Sequence, residues 1–355
     1  MIESFQNKIM SGLLKKGYSK EYGEQFMEQL KGFSEYGFPE SHAASFAHLV
    51  YASSWIKKYY PAHFTAALLN SQPMGFYSPS QLIRDLESHG LPAFPIDISY
   101  SAWDTLLEEN GIRLGLHLIK GIREEDARNL VQTIKQNGRF STLASLWFAV
   151  KKNYPRFSRT ILERVAHADG FTSMGLSRRR ALWEIRSFPY SPGVSEISLS
   201  EPGTKLKIMP LQEEMFKDYQ TTGLSLKSHP LAFIRPALHS KGVLSSYDIK
   251  NLRIKGPPPI ITVAGLSVVR QRPGTSNGIV FLTLEDETGI INLIIRPKIF
   301  ELYSKIIMMS SVLQAKGRLE RVNSVTHLNV FELTCIQHLV MNDENGMFPV
   351  LTYSY

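Results

Sequence analysis

Three cations flank a strand-like stretch between residues 260 and 301. Arg270 and Arg272 border a loop that contains glycine and proline, and Lys298 opens the helical pattern that follows. A basic loop beside strands favours contact with the phosphates of a nucleic acid, and the alternative is an ordinary solvated loop. Phe281 falls within the second strand pattern, where its ring either stacks on a base or, as we favour, packs in the core.

A helix, a tight turn and a second helix are predicted from Leu116 to Asn137. The turn is Lys120-Gly121, in which the glycine would permit close approach of a phosphate to the backbone and the next helix would favour the anion at its N-terminus. A second, degenerate copy follows at 158–185, and its last helix opens with three arginines, Arg178, Arg179 and Arg180. We expect the tandem copies to bind a DNA backbone, although such turns also serve plain packing.

Two other short motifs have a functional and a structural interpretation. Glu285-Asp286-Glu287 would hold a divalent cation through its carboxylates, but a charged hairpin turn is the interpretation we favour. The segment from Gln212 through Met215 and Phe216 loosely fits the peptide with which replication proteins bind a sliding clamp. The first turn of an amphipathic helix, with Met215 and Phe216 facing the core, explains the same residues and is favoured.

The surrounding pattern predicts a multidomain α+β protein. Strand patterns at 260–270, 279–284 and 290–295, a helix, and strand patterns at 312–319 and 326–333 follow the order of an OB-fold β-barrel, which commonly holds single-stranded nucleic acid. The domains expected are an all-helical part at 1–105, the tandem helix-hairpin-helix at 106–187, a linker with short helices at 188–257, the barrel at 258–340 and a tail at 341–355.

Composition narrows the class of protein. The net charge of +8 suits a polyanionic partner, and the single cysteine, Cys335, excludes an internal disulfide. The sequence has neither a run of 18 apolar residues nor a signal peptide, so we expect a cytoplasmic protein that does not bind membranes. No nucleophile–base set, phosphate-binding loop or metal-ligand motif can be recognised, so the pattern alone indicates a nucleic-acid-binding chain without visible catalytic chemistry.

Several long motifs resemble one family. They are GFPESHAASFAHLVYASSWIKKYYPAHFTAALLN from Gly37, IRLGLHLIKGI from Ile112, LSRRRALWEIR from Leu176, DYQTTGLSLKSHPLAFIRP from Asp218 and VAGLSVVRQRPGTSNGIVFLTLEDETGIINLIIRPKIFE from Val263. Most of the chain is similar to the bacterial C-family DNA polymerases of the alpha-subunit type, and most of all to their error-prone branch, which acts in damage-induced mutagenesis.

The resemblance implies a role for each part. The helical part would be the outer fingers, with Glu40, Ser41 and His42 near the incoming nucleotide, and the other two domains would hold primer–template duplex and single-stranded template. The magnesium-binding aspartates of the family's palm are expected upstream of this chain, so we expect the chain alone to bind no cofactor and to be inactive. A sliding clamp and mutagenesis accessory proteins are further expected partners. The alternative is a stand-alone nucleic-acid-binding module.

Overall fold

The computed structural model describes seven segments, which are residues 2–35, 40–74, 77–188, 206–254, 256–274, 276–322 and 325–340. The chain divides into two compact units, Met1–Phe64 and Thr65–Tyr355. The predicted tail and residues 189–205 of the predicted linker lie outside the described residues, and the domain limits drawn from the sequence remain predictions.

The first unit is helical, as predicted. Its helices are α1 (Ile2–Lys15), α2 (Lys20–Glu35), α3 (Glu40–Tyr59) and the first residues of α4 (Pro61–Asn70). Ser19 caps α2, because its hydroxyl accepts a hydrogen bond from the Tyr22 amide at 3.1 Å. Much of the apolar surface of α3 is exposed, including Phe46, Tyr51 and Trp55.

The second unit begins with a small sheet. After α5 (Pro79–Ser88), which has a capping box formed by Ser78 and Gln81, come β1 (Ala93–Phe94), β2 (Leu106–Glu108) and β3 (Gly111–Arg113). The strands lie in the order β1-β3-β2. The strand β3 is short, and the chain enters a single 3-10 turn at Leu116–Leu118 soon after it.

Four helices follow, of which the first belongs to the first predicted hairpin copy, the last two belong to the second copy, and the remaining one lies between the copies. They are α6 (Glu124–Asn137), α7 (Leu143–Asn153), α8 (Arg159–His167) and α9 (Arg178–Arg186). Ser158 and Ser177 cap α8 and α9 as serine side chains do at helix starts. The first member of the first copy is the 3-10 turn rather than a full helix.

Short elements connect these helices to the barrel. They are α10 (Leu211–Thr222), α11 (Arg235–Ser240), β4 (Val243–Leu244) and α12 (Ser246–Asn251). A 3-10 turn at Pro230–Phe233 lies between α10 and α11. All of these except α12 contribute to an apolar cluster with the outer surface of the barrel, which includes Met215, Leu231, Leu238, Val243, Ala264 and Leu266.

The C-terminal elements form a closed five-stranded barrel. They are β5 (Ile260–Gln271), β6 (Val280–Asp286), β7 (Gly289–Ile295), α13 (Pro297–Met309), β8 (Val312–Val322), β9 (Val325–Cys335) and α14 (Gln337–Val340). The order is β5-β6-β7-β9-β8, and β5–β8 pairing closes it. The parallel β7–β9 pair and the helix after β7 confirm the predicted OB-fold. Its interior is filled by alternating apolar side chains, which include Val263, Leu282, Leu293 and Leu328.

Candidate nucleic-acid interface

The strand β6 places its side chains alternately inside and outside the barrel. Val280, Leu282 and Leu284 fill the interior, whereas Phe281 and Thr283 point outward. Phe281 is 38% exposed, so the preferred sequence interpretation of Phe281 as a core residue is wrong. Strand alternation gives β6 an inward and an outward side, and the outward side carries an aromatic ring that solvent can reach.

Pairing across neighbouring strands extends this surface, which we call the open face. Phe281 lies opposite Ile294 of β7, and Ile294 lies opposite Asn329 of β9. Thr283 lies opposite Asn292 and donates a hydrogen bond to its side-chain oxygen at 3.0 Å. The open face thus combines an aromatic ring, an aliphatic neighbour and three hydrogen-bonding side chains, which suits stacking and polar contacts with unpaired bases.

Cations lie at one end of the open face, where the β5–β6 loop meets the start of α13. Arg272 is exposed and its guanidinium lies 4.7 Å from the centre of the Phe300 ring. Lys298 and Arg296 are also exposed, and α13 has no side-chain cap at its N-terminus. Among the described residues, none of these three forms an ion pair with a carboxylate, so their charges are free to attract a polyanion.

Arg270 differs from Arg272, although both were predicted to contact phosphates. Its side chain turns into the protein, where Nε donates to the Ile307 carbonyl at 2.7 Å and Nη2 to the Ser310 carbonyl at 2.5 Å. Burial lowers the pKa of this guanidinium. Arg270 satisfies carbonyls at the end of α13, so its assignment to a phosphate-binding loop is corrected to a structural role.

The first hairpin turn is occupied by a side chain from the second copy. Gly121 has a φ of +80°, and a Cβ there would lie 1.4 Å from Nη1 of Arg164. The same nitrogen of Arg164 donates to the Lys120 carbonyl at 3.0 Å. The close approach that Gly121 permits is therefore made by an arginine, a residue that no sequence motif marked.

Lys120 is also turned toward the protein. Its amide donates to the Thr221 carbonyl at 2.9 Å, and its ammonium donates to the Tyr219 carbonyl at 3.3 Å. Partial burial lowers the pKa of the Lys120 ammonium. The first hairpin is thus docked on the end of α10 through the residue predicted to meet a phosphate.

The three arginines of the second copy are internally paired. Arg178 is 1% exposed and pairs with Asp218, Arg179 binds both carboxylate oxygens of Glu213 at 2.8 Å, and Arg180 pairs with Glu184 at 2.7 Å. Burial raises the pKa of Asp218, while Arg178 opposes that shift. Arg178 and Arg179 fasten α9 to α10, so the expectation of an open run of phosphate-binding charge is corrected.

The segment predicted to bind a clamp is built into the core. Met215 and Phe216 are buried in the cluster against the outer wall of the barrel, and the side-chain Nε2 of Gln212 donates to the Val340 carbonyl at 3.1 Å. A clamp would need these apolar side chains exposed, so the structure favours the packing alternative.

The nucleotide-facing residues predicted in the first unit begin α3. The side chains of Glu40 and Ser41 lie outside the described residues, whereas His42 is exposed, with its ring centre 4.5 Å from that of Phe46. Their assignment therefore rests on the family resemblance.

The acidic triplet is a buried junction rather than a solvated turn. Asp286 is fully buried and accepts hydrogen bonds from the Ser246 amide at 2.6 Å, the Thr288 amide at 2.8 Å and the Gly289 amide at 2.9 Å. Glu287 pairs with Arg235. These contacts give the favoured hairpin turn a fastening role. Within the described part of the chain, no group of three potential metal-ligating residues occurs, so the cation alternative gains no support.

Comparison with known proteins connects this geometry to a family. Residues 90–181 match a helix-hairpin-helix motif, and residues 261–336 match an OB-fold nucleic acid binding domain. The error-prone DNA polymerase of Sinorhizobium medicae is 42% identical in a match that covers 92% of this chain and 31% of that protein. The chain is homologous to the C-terminal part of the error-prone DNA polymerases. The Brucella abortus relative is 40% identical, with the same coverage of each protein.

These relatives also show how much of the family the chain represents. It spans about a third of their length, for example 31% of the error-prone DNA polymerase 1 of Rhizobium meliloti. Among solved structures, asparaginyl-tRNA synthetase from Pyrococcus horikoshii matches 22% of this chain and 20% of its own at 20% identity, with a TM-score of 0.20, which is too weak to support a conclusion. No helix in the described segments is long and apolar enough to cross a bilayer.

Proposed function

We propose that the chain is the DNA-binding part of an error-prone DNA polymerase. Its barrel would hold single-stranded template, and its helix-hairpin-helix domain would hold primer–template duplex. The names of its relatives and the two matched nucleic-acid-binding domains support this proposal. Polymerisation, its magnesium ions, damage-induced translesion synthesis and a cytoplasmic location belong to the proposal for the longer protein.

The open face is the observation that carries the proposal. The Phe281 ring exposes apolar area to water and adds nothing to the barrel core, because the neighbouring side chains of β6 that point inward already fill that core. Stacking of a base on such a ring contributes about 1–3 kcal/mol and tolerates any sequence. Phe281, with Ile294 beside it, therefore provides a platform for a template strand of any sequence.

Cations supply the second component of the interaction. Arg272, Arg296 and Lys298 lie at the loop end of the barrel without carboxylate partners among the described residues, and the chain has a net charge of +8. Contacts of this kind release counterions, so affinity falls as salt rises. Salt dependence thus separates the contribution of the cations from that of the ring.

The geometry that supports binding of the duplex by the hairpin domain is weaker than the geometry that supports binding of a single strand by the open face. Lys120 and Gly121 form the turn that we propose lies next to the DNA backbone, and Arg164 adds a positive charge at this turn. Arg123 is exposed at the start of α6. Three acidic residues, Glu124, Glu125 and Asp126, occupy the first turn of that helix and would repel a phosphate placed directly on its end. We therefore place the backbone beside the turn, near Arg123.

The remaining functional assignments are carried by family resemblance. Glu40, Ser41 and His42 are proposed to lie near the incoming nucleotide of the longer polymerase. Accessory proteins of mutagenesis are proposed partners of the same assembly. A sliding clamp, if it binds, would have to use residues other than the buried Met215 and Phe216.

Fluorescence anisotropy with a labelled single-stranded dT oligonucleotide tests the proposal. Phe281→Ala should weaken binding about tenfold or more, because the stacking of one base is removed. Tyr247→Ala is the matched control, since Tyr247 is exposed on α12 and does not belong to the open face. Equal affinity of the wild type and Phe281→Ala would remove the open face from the interaction, and no binding by the wild type would overturn the proposed function.

A further inference from the structure

A cavity of about 380 Å³ lies beyond the open face, where α5, the segment after α10 and the turn between β6 and β7 meet. We call it the junction cavity. Its walls include Ile83, Arg84, Tyr219, Ser228, His229 and Glu285. This volume is within the roughly 300–1,000 Å³ typical of small-molecule sites. Nothing in the family matches assigns it a ligand.

Two side chains that line the junction cavity each contain a buried polar atom without a hydrogen-bond partner among the described residues. These atoms are Oε2 of Glu285, whose side chain is 3% exposed, and Nε2 of His229, whose side chain is 9% exposed. Nδ1 of His229 accepts a hydrogen bond from the Leu231 amide at 3.2 Å, so in the neutral ring Nε2 carries the proton. The wall of the cavity thus contains one unpaired acceptor and one unpaired donor, with 3.6 Å between Nε2 and the other oxygen of Glu285.

The charge around these atoms narrows the chemistry of the ligand. Glu87, Glu285 and Glu287 line the junction cavity, whereas Arg84 already pairs with Glu285 at 3.2 Å. Lys227, the other lining cation, is engaged by Asp169 and Glu214. A phosphate is disfavoured there. A flat, neutral group with adjacent N–H donor and acceptor atoms fits, and the edge of a nucleobase with an exocyclic amine has that pattern.

Glu285 belongs to the same outward row of β6 as the open face. Phe281, Thr283 and Glu285 alternate with interior residues, so their side chains share one side of the strand. Four residues of strand span about 13 Å, which a short single strand can bridge. The distance between Phe281 and Glu285 is therefore within the reach of a single strand bound on the open face.

We propose that the junction cavity takes an unpaired base bearing an amino group, adenine, cytosine or guanine, from the strand bound on the open face. This inference rests on the proposed function. Glu285 accepts a hydrogen bond from the exocyclic amine, and His229 donates to the unprotonated ring nitrogen next to it. The cavity selects against thymine, which has no exocyclic amine.

The test compares single strands of equal length, one of dT alone and one of dT with dC at alternate positions, by fluorescence anisotropy with the full chain. The wild type should bind the dC-containing strand about tenfold more tightly, as expected for a hydrogen bond to a charged group. Glu285→Gln and, separately, Ser80→Phe, which fills the rim from α5, should bring the two affinities together and leave the dT affinity unchanged. Circular dichroism and melting establish that both variants are folded.

Equal affinity of the wild type for the two strands would overturn the proposal, as would a preference that persists in both variants. If Glu285→Gln fails to fold, Ser80→Phe alone decides between these results. Failure of the proposed function has a different signature, since the dT strand would then also fail to bind. Binding of dT that depends on Phe281, without a preference for dC, would retain the open face and reject the base site.

Discussion

The two ends of β6 use the same side of one strand in opposite ways. Phe281 and Glu285 both point outward, four residues apart, yet the phenyl ring is exposed and the carboxylate is buried. α5 and the segment before α11 cover the Glu285 end through Arg84 and His229. Along β6, then, the buried carboxylate lies where neighbouring elements are fastened together, and the exposed Phe281 ring lies where we expect a ligand.

The same contrast separates Arg270 from Arg272. The two arginines are two residues apart, but the buried one caps carbonyls at the end of α13 and the exposed one lies over the Phe300 ring. Removing a buried charged donor leaves its acceptors without partners and costs stability, whereas removing an exposed cation changes mainly affinity and its salt dependence. Substitutions can therefore test whether fastening and binding are separate.

The largest effect is expected at Asp286. Asp286→Ala should lower the free energy of unfolding by about 3–5 kcal/mol, because three amides and the Ser246 hydroxyl lose their acceptor in a buried site. Urea denaturation measures the change. Glu301→Ala, at an exposed carboxylate of α13, is the control and should stay within about 0.5 kcal/mol of the wild type. An equally small change for Asp286→Ala would contradict the fastening role.

Arg178 should show the next largest effect. Arg178→Met leaves Asp218 largely buried beside an uncharged neighbour and should cost about 3 kcal/mol of stability. Arg179→Met, at a side chain that is about one-third exposed, should cost at most about 1 kcal/mol. Thermal melts compare the two variants. If Arg178→Met reduced the free energy of DNA binding by more than it reduced the free energy of unfolding, the arginine run from Arg178 to Arg180 would be shown to bind DNA.

Arg270→Ala should destabilise the barrel by about 2 kcal/mol, since the carbonyls of Ile307 and Ser310 lose their donors. Its single-strand affinity, measured where the variant is folded, should fall with salt as steeply as that of the wild type. A shallower salt dependence would place this guanidinium on a phosphate and weaken the contrast with Arg272.

The double variant Arg272→Ala, Lys298→Ala tests the exposed cations. Its stability should be close to that of the wild type. The slope of log affinity against log salt should become shallower by about 1.4, because each cation that neutralises a single-strand phosphate accounts for about 0.7 of the slope. Anisotropy titrations at several salt concentrations give the slope. An unchanged slope would mean that the β5–β6 loop does not contact the strand.

Sequence patterns predicted the barrel well because its strands alternate and its turns are marked by glycine, proline and acidic residues. They could not assign Phe281, because alternation defines two faces without telling which one is covered. Arg270 was misplaced for a related reason, since the orientation of the last side chains of β5 depends on the packing of α13, about 37 residues later in the chain. Arg164 was missed because its hydrogen bond to Lys120 joins residues 44 positions apart.

Photo-crosslinking tests the open face most directly. A single strand carrying 5-iododeoxyuridine at one position is bound to the full chain, irradiated and digested, and the adducts are located by mass spectrometry. We predict adducts on the peptides that contain Phe281 and the neighbouring β7 residues, and their disappearance in Phe281→Ala. Adducts confined to other parts of the chain, with none on β6 or β7, would contradict a template strand bound on the open face.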